Sequence, residues 1–283
     1  MSTFDDLVSA ALANRPDLAG LRPVVEKELL HHDILRELND GALLEPLTFM
    51  GGTCLRLCYG SPRLSEDLDF TGTIDDQTAA DQLKRLGRIL TTRLGTKYGL
   101  PVEVSDPVRD SSNVRTWKVR ITTRPDRPDL PRQRINIDLQ TLPAHDPQPM
   151  MLRNPYRVDL GTSGLILNAA SLQEILADKL VALALRRNRV KHRDLWDIAW
   201  LVQQDVSLTG TLVQGKLKDR GVNPGEFLRL YRERSQSLET AYPEFLFEIR
   251  RFLPQETVTT NLERPAYWNY LTNLIKSLGE RLS

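Results

Sequence analysis

In FMGGTCLRLCYGSPRLSEDLDF, residues 49–70, a glycine turn and an alternating pair of carboxylates follow one another on either side of a short helix. Residues 47–50 (LTFM) are apolar and run into Gly51-Gly52, which predicts a strand entering a glycine turn. Thr53 to Tyr59 reads as a short helix broken at Gly60-Ser61-Pro62, and Leu64 to Phe70 reads as a strand. On that strand Asp67 and Asp69 share one face, about 7 Å apart between Cα atoms, while Leu68 and Phe70 point into the core.

Two carboxylates aimed at one spot repel each other, and a divalent cation relieves the repulsion. Magnesium, or manganese in its place, prefers carboxylate oxygens, keeps several waters and completes its shell with substrate phosphates. Gly51 and Gly52 precede a helix, where a bare backbone lets N–H groups approach an anion, so the pair reads as a phosphate cradle. Thr53 adds a hydroxyl, either as an N-cap or as a donor to a phosphate. A third carboxylate is expected where two cations are held. Asp138, in RINIDLQT (134–141), alternates with Ile135, Ile137 and Leu139 and projects from the opposite face. It is the candidate third ligand and the candidate base for an acceptor hydroxyl. Together these groups point to in-line displacement at a nucleotide phosphate.

Residues 21–40 carry Val25, Leu29, Leu30, Ile34, Leu35 and Leu38 at helical spacing, and 75–98 is a second helical stretch. Residues 101–105, 114–123 and 134–142 alternate as strands. After Pro143 a proline-containing loop leads to helices at about 171–187, 194–204 and 224–240. The expected class is α+β: a mixed sheet flanked by helices in residues 1–160, then a helical half, 161–283.

In that helical half Ser171 and Glu174 form a capping-box pattern. Lys179 follows Ile175 and Leu176 and precedes Leu183 on the apolar stripe, so its ammonium either snorkels to the edge or contacts a triphosphate. Asp194 and Asp197 open the next helix on one face, where Asp194 caps, favours the helix dipole, or acts in the site.

Composition narrows little. Thirty-eight Lys and Arg against 37 Asp and Glu leave a net charge of +1, so any nucleic-acid affinity must come from local clusters. Residues 109–134 hold eight basic side chains (Arg109, Arg115, Lys118, Arg120, Arg124, Arg127, Arg132, Arg134) against Asp110, Asp126 and Asp129. Arg186, Arg187, Arg189, Lys191 and Arg193 form a second cluster. Two cysteines, Cys54 and Cys58, sit on one short helix and read as packing residues. The opening MSTFDDLVSAALANRPDLAG does not read as a secretory signal, and no long apolar run occurs, so a cytoplasmic, non-membrane protein is expected.

Gly51-Gly52-Thr53, followed by Arg63-x-Ser65-x-Asp67-Leu68-Asp69-Phe70, resembles the DNA polymerase β-like nucleotidyltransferase superfamily. Within it the pattern looks like the AbiEii toxin family, including the MenT-type toxins of type IV-like toxin–antitoxin pairs, whose version usually reads R-x-S-x-D-x-D. The resemblance covers roughly residues 25–202 and implies transfer of a nucleoside monophosphate from an NTP to the 3′ end of tRNA. It also implies a neutralising antitoxin encoded beside the gene. Arg63 and Ser65 then join Gly51, Gly52 and Thr53 as nucleotide-binding positions, and Asp67 and Asp69 are catalytic metal ligands. Lys179 with Arg193-Asp194-Leu195-Trp196-Asp197 looks like the family's lysine and R-D-x-x-D element. Asp194 is then a catalytic position and Asp197 a nucleotide-binding one, with the family role open between them. Transfer to a protein or small-molecule hydroxyl, or a non-catalytic nucleic-acid-binding module, are the alternatives.

Overall fold

Apolar alternation carries the sheet. In the computed structural model, which describes residues 3–105, 108–109, 113–127, 129–186 and 190–282, two compact units appear, Met1–Ala170 and Ser171–Ser283. The first holds helices α1 (Thr3–Asn14), α2 (Arg22–Asp40), α3 (Gly51–Leu57) and α4 (Asp76–Tyr98). Its strands are β1 (Thr48–Met50), β2 (Leu68–Thr71), β3 (Val102–Val104), β4 (Val108–Arg109), β5 (Val114–Ile121), β6 (Gln133–Gln140), β7 (Pro147–Met151) and β8 (Ile166–Ala170). They form one mixed sheet in the order β3-β5-β6-β2-β1-β8-β7, with β4 paired to β5. The α+β class expected from the sequence is the class observed.

Leu68, Phe70, Trp117, Val119, Ile135, Ile137 and Leu139 are buried on one face of this sheet. Each such side chain contributes about 1.5–3 kcal/mol by leaving water. Phe49 and Phe70 pack ring to ring at 5.2 Å across β1 and β2. Helix α4 starts on Asp75, whose carboxylate accepts from Gln77 N and Thr78 N, and stops at Gly99 in the left-handed region.

Two departures from the sequence reading have physical causes. The strand expected over 64–70 begins only at Leu68. Upstream, side chains take the backbone groups a ladder would use: Ser65 N–H donates to Glu28, and Thr53 donates to Asp67 O. The second departure is in 147–170, expected to be loop and found to contain β7 and β8. Prolines 147 and 149 hide the pattern, yet β7 is an edge strand, where a missing N–H is tolerated.

A buried carboxylate ties these parts together. Glu28 of α2 is fully buried; Oε1 accepts from Ser65 N at 2.9 Å, and Oε2 accepts from Arg56 Nε at 3.1 Å and from the Tyr156 hydroxyl. Arg56 is itself buried and donates from Nη1 to Ser61 O.

The second unit is built on α5 (Leu172–Leu185), which packs against α6 (His192–Gln203), α7 (Gly210–Asp219) and α8 (Pro224–Ser237). Helices α9 (Tyr242–Ile249), α10 (Gln255–Thr257) and α11 (Pro265–Arg281) complete it. Ser171 caps α5 as expected, accepting from Glu174 N, but the Glu174 carboxylate pairs with Lys216 at 2.7 Å instead of returning to the cap. Among the described residues no helix is long and apolar enough to cross a membrane.

Replacing Glu28 by Gln leaves the buried Arg56 guanidinium without its counter-charge. Breaking such a pair costs about 3 kcal/mol. Urea unfolding of Glu28→Gln is expected to show that loss, and an unchanged midpoint would contradict the network's role.

Candidate active site

Strand register builds the site. Asp69 lies across from Met50 on β1 and from Asp138 on β6, and Asp138 lies across from Thr116 on β5. Residues directly opposite in a ladder project from the same face. The neighbours Leu68, Phe70, Ile137, Leu139 and Trp117 are buried on the other face, so Asp69, Asp138 and Thr116 form a row on the half-exposed one. Thr116 Oγ1 donates to Asp138 Oδ1 at 2.6 Å.

Asp67 stands one residue before β2. Its Oδ1 accepts from Asn136 N at 3.2 Å and from Asn136 Nδ2 at 3.0 Å. Because Asn136 is two residues before Asp138 on β6, Asp67 is kept on the same face. Thr53 is buried and donates its hydroxyl to the Asp67 carbonyl, while the N-cap of α3 is Met50. Thr53 therefore does not cap the helix; it supports Asp67 from beneath.

The glycines explain why both halves of the motif occur together. Gly51 has φ +77°, and a Cβ on it would lie 2.3 Å from Asp69 Oδ2. A Cβ on Gly52 would lie 2.4 Å from Arg63 Nη2 and 3.0 Å from Ser65 Oγ. The space freed by the missing side chains is taken by the motif's own polar groups. Arg63 is 2% exposed and donates from Nη1 to Leu64 O at 2.8 Å, so it lies under the glycine turn and not out where a ligand would sit. Ser65 is held there through its N–H on Glu28.

Whether these residues fit a cation follows from the donor set. Among the described residues no three His, Cys, Asp or Glu side chains are gathered closely enough to enclose an ion. Of the three carboxylates expected as ligands, Asp67 is held by Asn136 and Asp138 accepts from Thr116. All three are nonetheless oxygen donors on one half-exposed face. That set fits a hard cation which takes one or two carboxylates and fills its shell with water and phosphate oxygens.

In the helical unit, the Lys179 ammonium is bound by Asp194 Oδ1 at 2.5 Å and Asp197 Oδ2 at 2.8 Å, and Arg186 reaches Asp194 Oδ2 at 2.9 Å. Lys179 therefore does not snorkel; its charge is met by both aspartates of α6. Asp194 is not a cap, since Lys191 occupies that position. Burial alone would raise the Asp194 pKa, but Lys179 and Arg186 outweigh it and hold the carboxyl well below the usual carboxylate range. Arg193 turns away to Glu248 at 2.9 Å and to the Phe252 ring at 5.3 Å.

Of the basic segment, Arg124 pairs with Glu26, Arg127 with Asp129 and Arg132 with Glu103. Asp110, Arg187 and Arg189, and the side chain of Arg109, lie outside the described residues. Cys54 and Cys58 are buried free thiols, as their helix spacing implied.

The residues missed from sequence are supports: Glu28, Arg56, Asn136 and Thr116. Glu28 had a readable signal, a carboxylate inside the stripe made by Val24, Val25, Leu29 and His32, all buried. The role of Asn136 needs the β2–β6 register, which no local pattern encodes.

Comparison with known proteins supplies independent findings. The family model described as "Nucleotidyl transferase AbiEii toxin, Type IV TA system" matches residues 33–273. The fold is similar to MenT4, a nucleotidyltransferase toxin from Mycobacterium tuberculosis H37Rv, with TM-score 0.58 and 16% identity over 99% of this chain and 92% of that one. It is also similar to a nucleotidyltransferase structure from H. pylori, with TM-score 0.51 and 18% identity over 90% of this chain and 96% of that one. No individually curated protein matches the sequence.

The Asp194 geometry carries a pH dependence. Its folded pKa lies below the unfolded value, so its stabilisation is full above about pH 4 and is lost as pH falls further. Asp194→Asn is expected to cost about 3 kcal/mol at pH 7 and to flatten the acid limb of the stability curve. Urea midpoints measured from pH 6 down to pH 2 check this, and an acid limb as steep as the wild type's would contradict it.

Proposed function

The chain belongs to the AbiEii nucleotidyltransferase toxin family of type IV toxin–antitoxin systems, and from that premise we propose that it transfers a nucleoside monophosphate from an NTP to the 3′ end of tRNA, blocking translation. The observation that carries the reading is the row Asp69–Asp138 on adjacent strands, with Gly51 making room for the Asp69 carboxylate. In this reading the acceptor hydroxyl attacks the α-phosphorus. A new P–O bond forms as the bond to the β-phosphate oxygen breaks, and pyrophosphate leaves. Asp138 takes the hydroxyl proton, oriented by Thr116.

Asp67 and Asp69 would hold Mg2+ or Mn2+, with Asp138 as the neighbouring oxygen donor. The cation, when bound, supplies positive charge to the triphosphate. Gly51 and Gly52 offer backbone N–H groups to phosphate oxygens. Thr53, Arg63 and Ser65 act through others: Thr53 supports the Asp67 backbone, and Arg63 and Ser65 set the glycine turn. Within the helical unit, Lys179 is assigned by the family resemblance as the lysine that stabilises triphosphate charge, its ammonium held by Asp194 and Asp197. The family implies an antitoxin partner that neutralises the toxin; in this reading the toxin acts on tRNA in the cytoplasm.

Incubation of the purified protein with tRNA and each labelled NTP, with Mg2+ or Mn2+, tests the proposal. Label is expected on RNA, reduced at least about 10³-fold by Asp69→Ala. Gly51→Ala is expected to reduce it about 10²-fold or more with the fold intact by circular dichroism, because the new methyl displaces Asp69. Label on protein or on a small hydroxyl compound in place of RNA would overturn the acceptor, and no label anywhere would overturn the enzyme.

A further inference from the structure

The row of carboxylates does not end at Asp138. On β5 and β6 the register pairs Thr116 with Asp138, Lys118 with Asn136, and Arg120 with Arg134. Lys118, Arg120 and Arg134 therefore share the face of Asp67, Asp69 and Asp138, and they follow in two steps of about 7 Å each along the strands. Trp117, Val119, Ile121 and Ile135, between them in sequence, are buried on the other face.

Their charge state sets them apart from their neighbours. Arg124, Arg127 and Arg132 each have a carboxylate partner. Among the described residues no carboxylate pairs with Lys118, Arg120 or Arg134. Glu103, across from Arg120 on β3, is engaged by Arg132 at 2.7 Å. Arg120 and Arg134 stand directly opposite each other, and a like-charge pair in that position is destabilising. Three neighbouring cations with no ion-paired carboxylate among the described residues are relieved by a polyanion.

The direction of the stripe separates two phosphate ligands. The glycine turn follows β1, on one side of the Asp69–Asp138 row, whereas β5 is the strand on the far side of Asp138. A triphosphate seated at the turn uses the first side. We propose that Lys118, Arg120 and Arg134 form a track for the phosphodiester backbone of a single-stranded nucleic-acid end, which leads its terminal hydroxyl to Asp138. This rests on the nucleotidyl-transfer reading for the role of Asp138. The track itself is a binding statement and is measured separately.

Labelled tRNA is titrated against the full chain and against the triple variant Lys118→Gln, Arg120→Gln, Arg134→Gln, from low to high salt. Each NTP is titrated in parallel. Losing three contacts to a single strand lowers the slope of log affinity against log salt by about 2, and the tRNA affinity falls roughly 10- to 50-fold at 0.15 M salt. NTP affinity stays at the wild-type value. The single variants Arg120→Gln and Arg134→Gln remove a like-charge contact, so each melts no lower than the wild type and still loses tRNA affinity. Unchanged tRNA affinity and slope would overturn the track, as would a loss confined to NTP binding. Weakened tRNA binding by the triple variant, beside a wild type that transfers no label, would sink the transfer reading and leave the track standing. Normal transfer and normal tRNA binding by the triple variant would do the reverse.

Discussion

At the glycine turn a carboxylate occupies the volume that a side chain on Gly51 would fill. Asp69 Oδ2 stands 2.3 Å from where a Cβ on Gly51 would be, and Arg63 Nη2 stands 2.4 Å from the corresponding point on Gly52. Neither polar group could be seated beside an ordinary residue. The glycine turn, the arginine loop and the aspartate strand are therefore one interlocked object. Thr53 and Asn136 then fix Asp67 from two sides, through its carbonyl and its carboxylate.

Buried charge does the supporting in both units. Glu28 gathers Arg56, Tyr156 and the Ser65 N–H behind the glycine turn. In the helical unit Asp194 and Asp197 share the Lys179 ammonium. Such networks are weak sources of net stability, but removing one partner is expensive, so they specify geometry more than they strengthen the fold. The same rule marks the exception. Lys118, Arg120 and Arg134 lie on the sheet face of the carboxylates, where Arg120 and Arg134 oppose like charge to like charge across two strands.

Much of this was legible in the sequence, for identifiable reasons. Alternation in RINIDLQT placed Asp138 on the face away from Ile135, Ile137 and Leu139, and those three are buried. Helical spacing in 21–40 and 75–98 marked α2 and α4. What stayed hidden depends on pairing between distant segments. The sequence cannot show that Thr53 reaches Asp67, that Asn136 holds it, or that the strand before Leu68 is consumed by side-chain contacts. Strand β7 is hidden by its two prolines, which an edge position excuses, and edge position is a property of the whole sheet. The basic segment looks like one patch in sequence, yet among the described residues Arg124, Arg127 and Arg132 are salt-bridged while Lys118, Arg120 and Arg134 have no carboxylate partner.

In the proposed reading Asp67 and Asp69 jointly seat a divalent cation together with a triphosphate. Electron paramagnetic resonance of Mn2+, titrated with and without a non-hydrolysable NTP analogue, reads that seating directly. Tight Mn2+ binding is expected only when the analogue is present, and it is lost in both Asp67→Asn and Asp69→Asn while the fold is kept. Mn2+ and analogue bound equally well by either variant would contradict it.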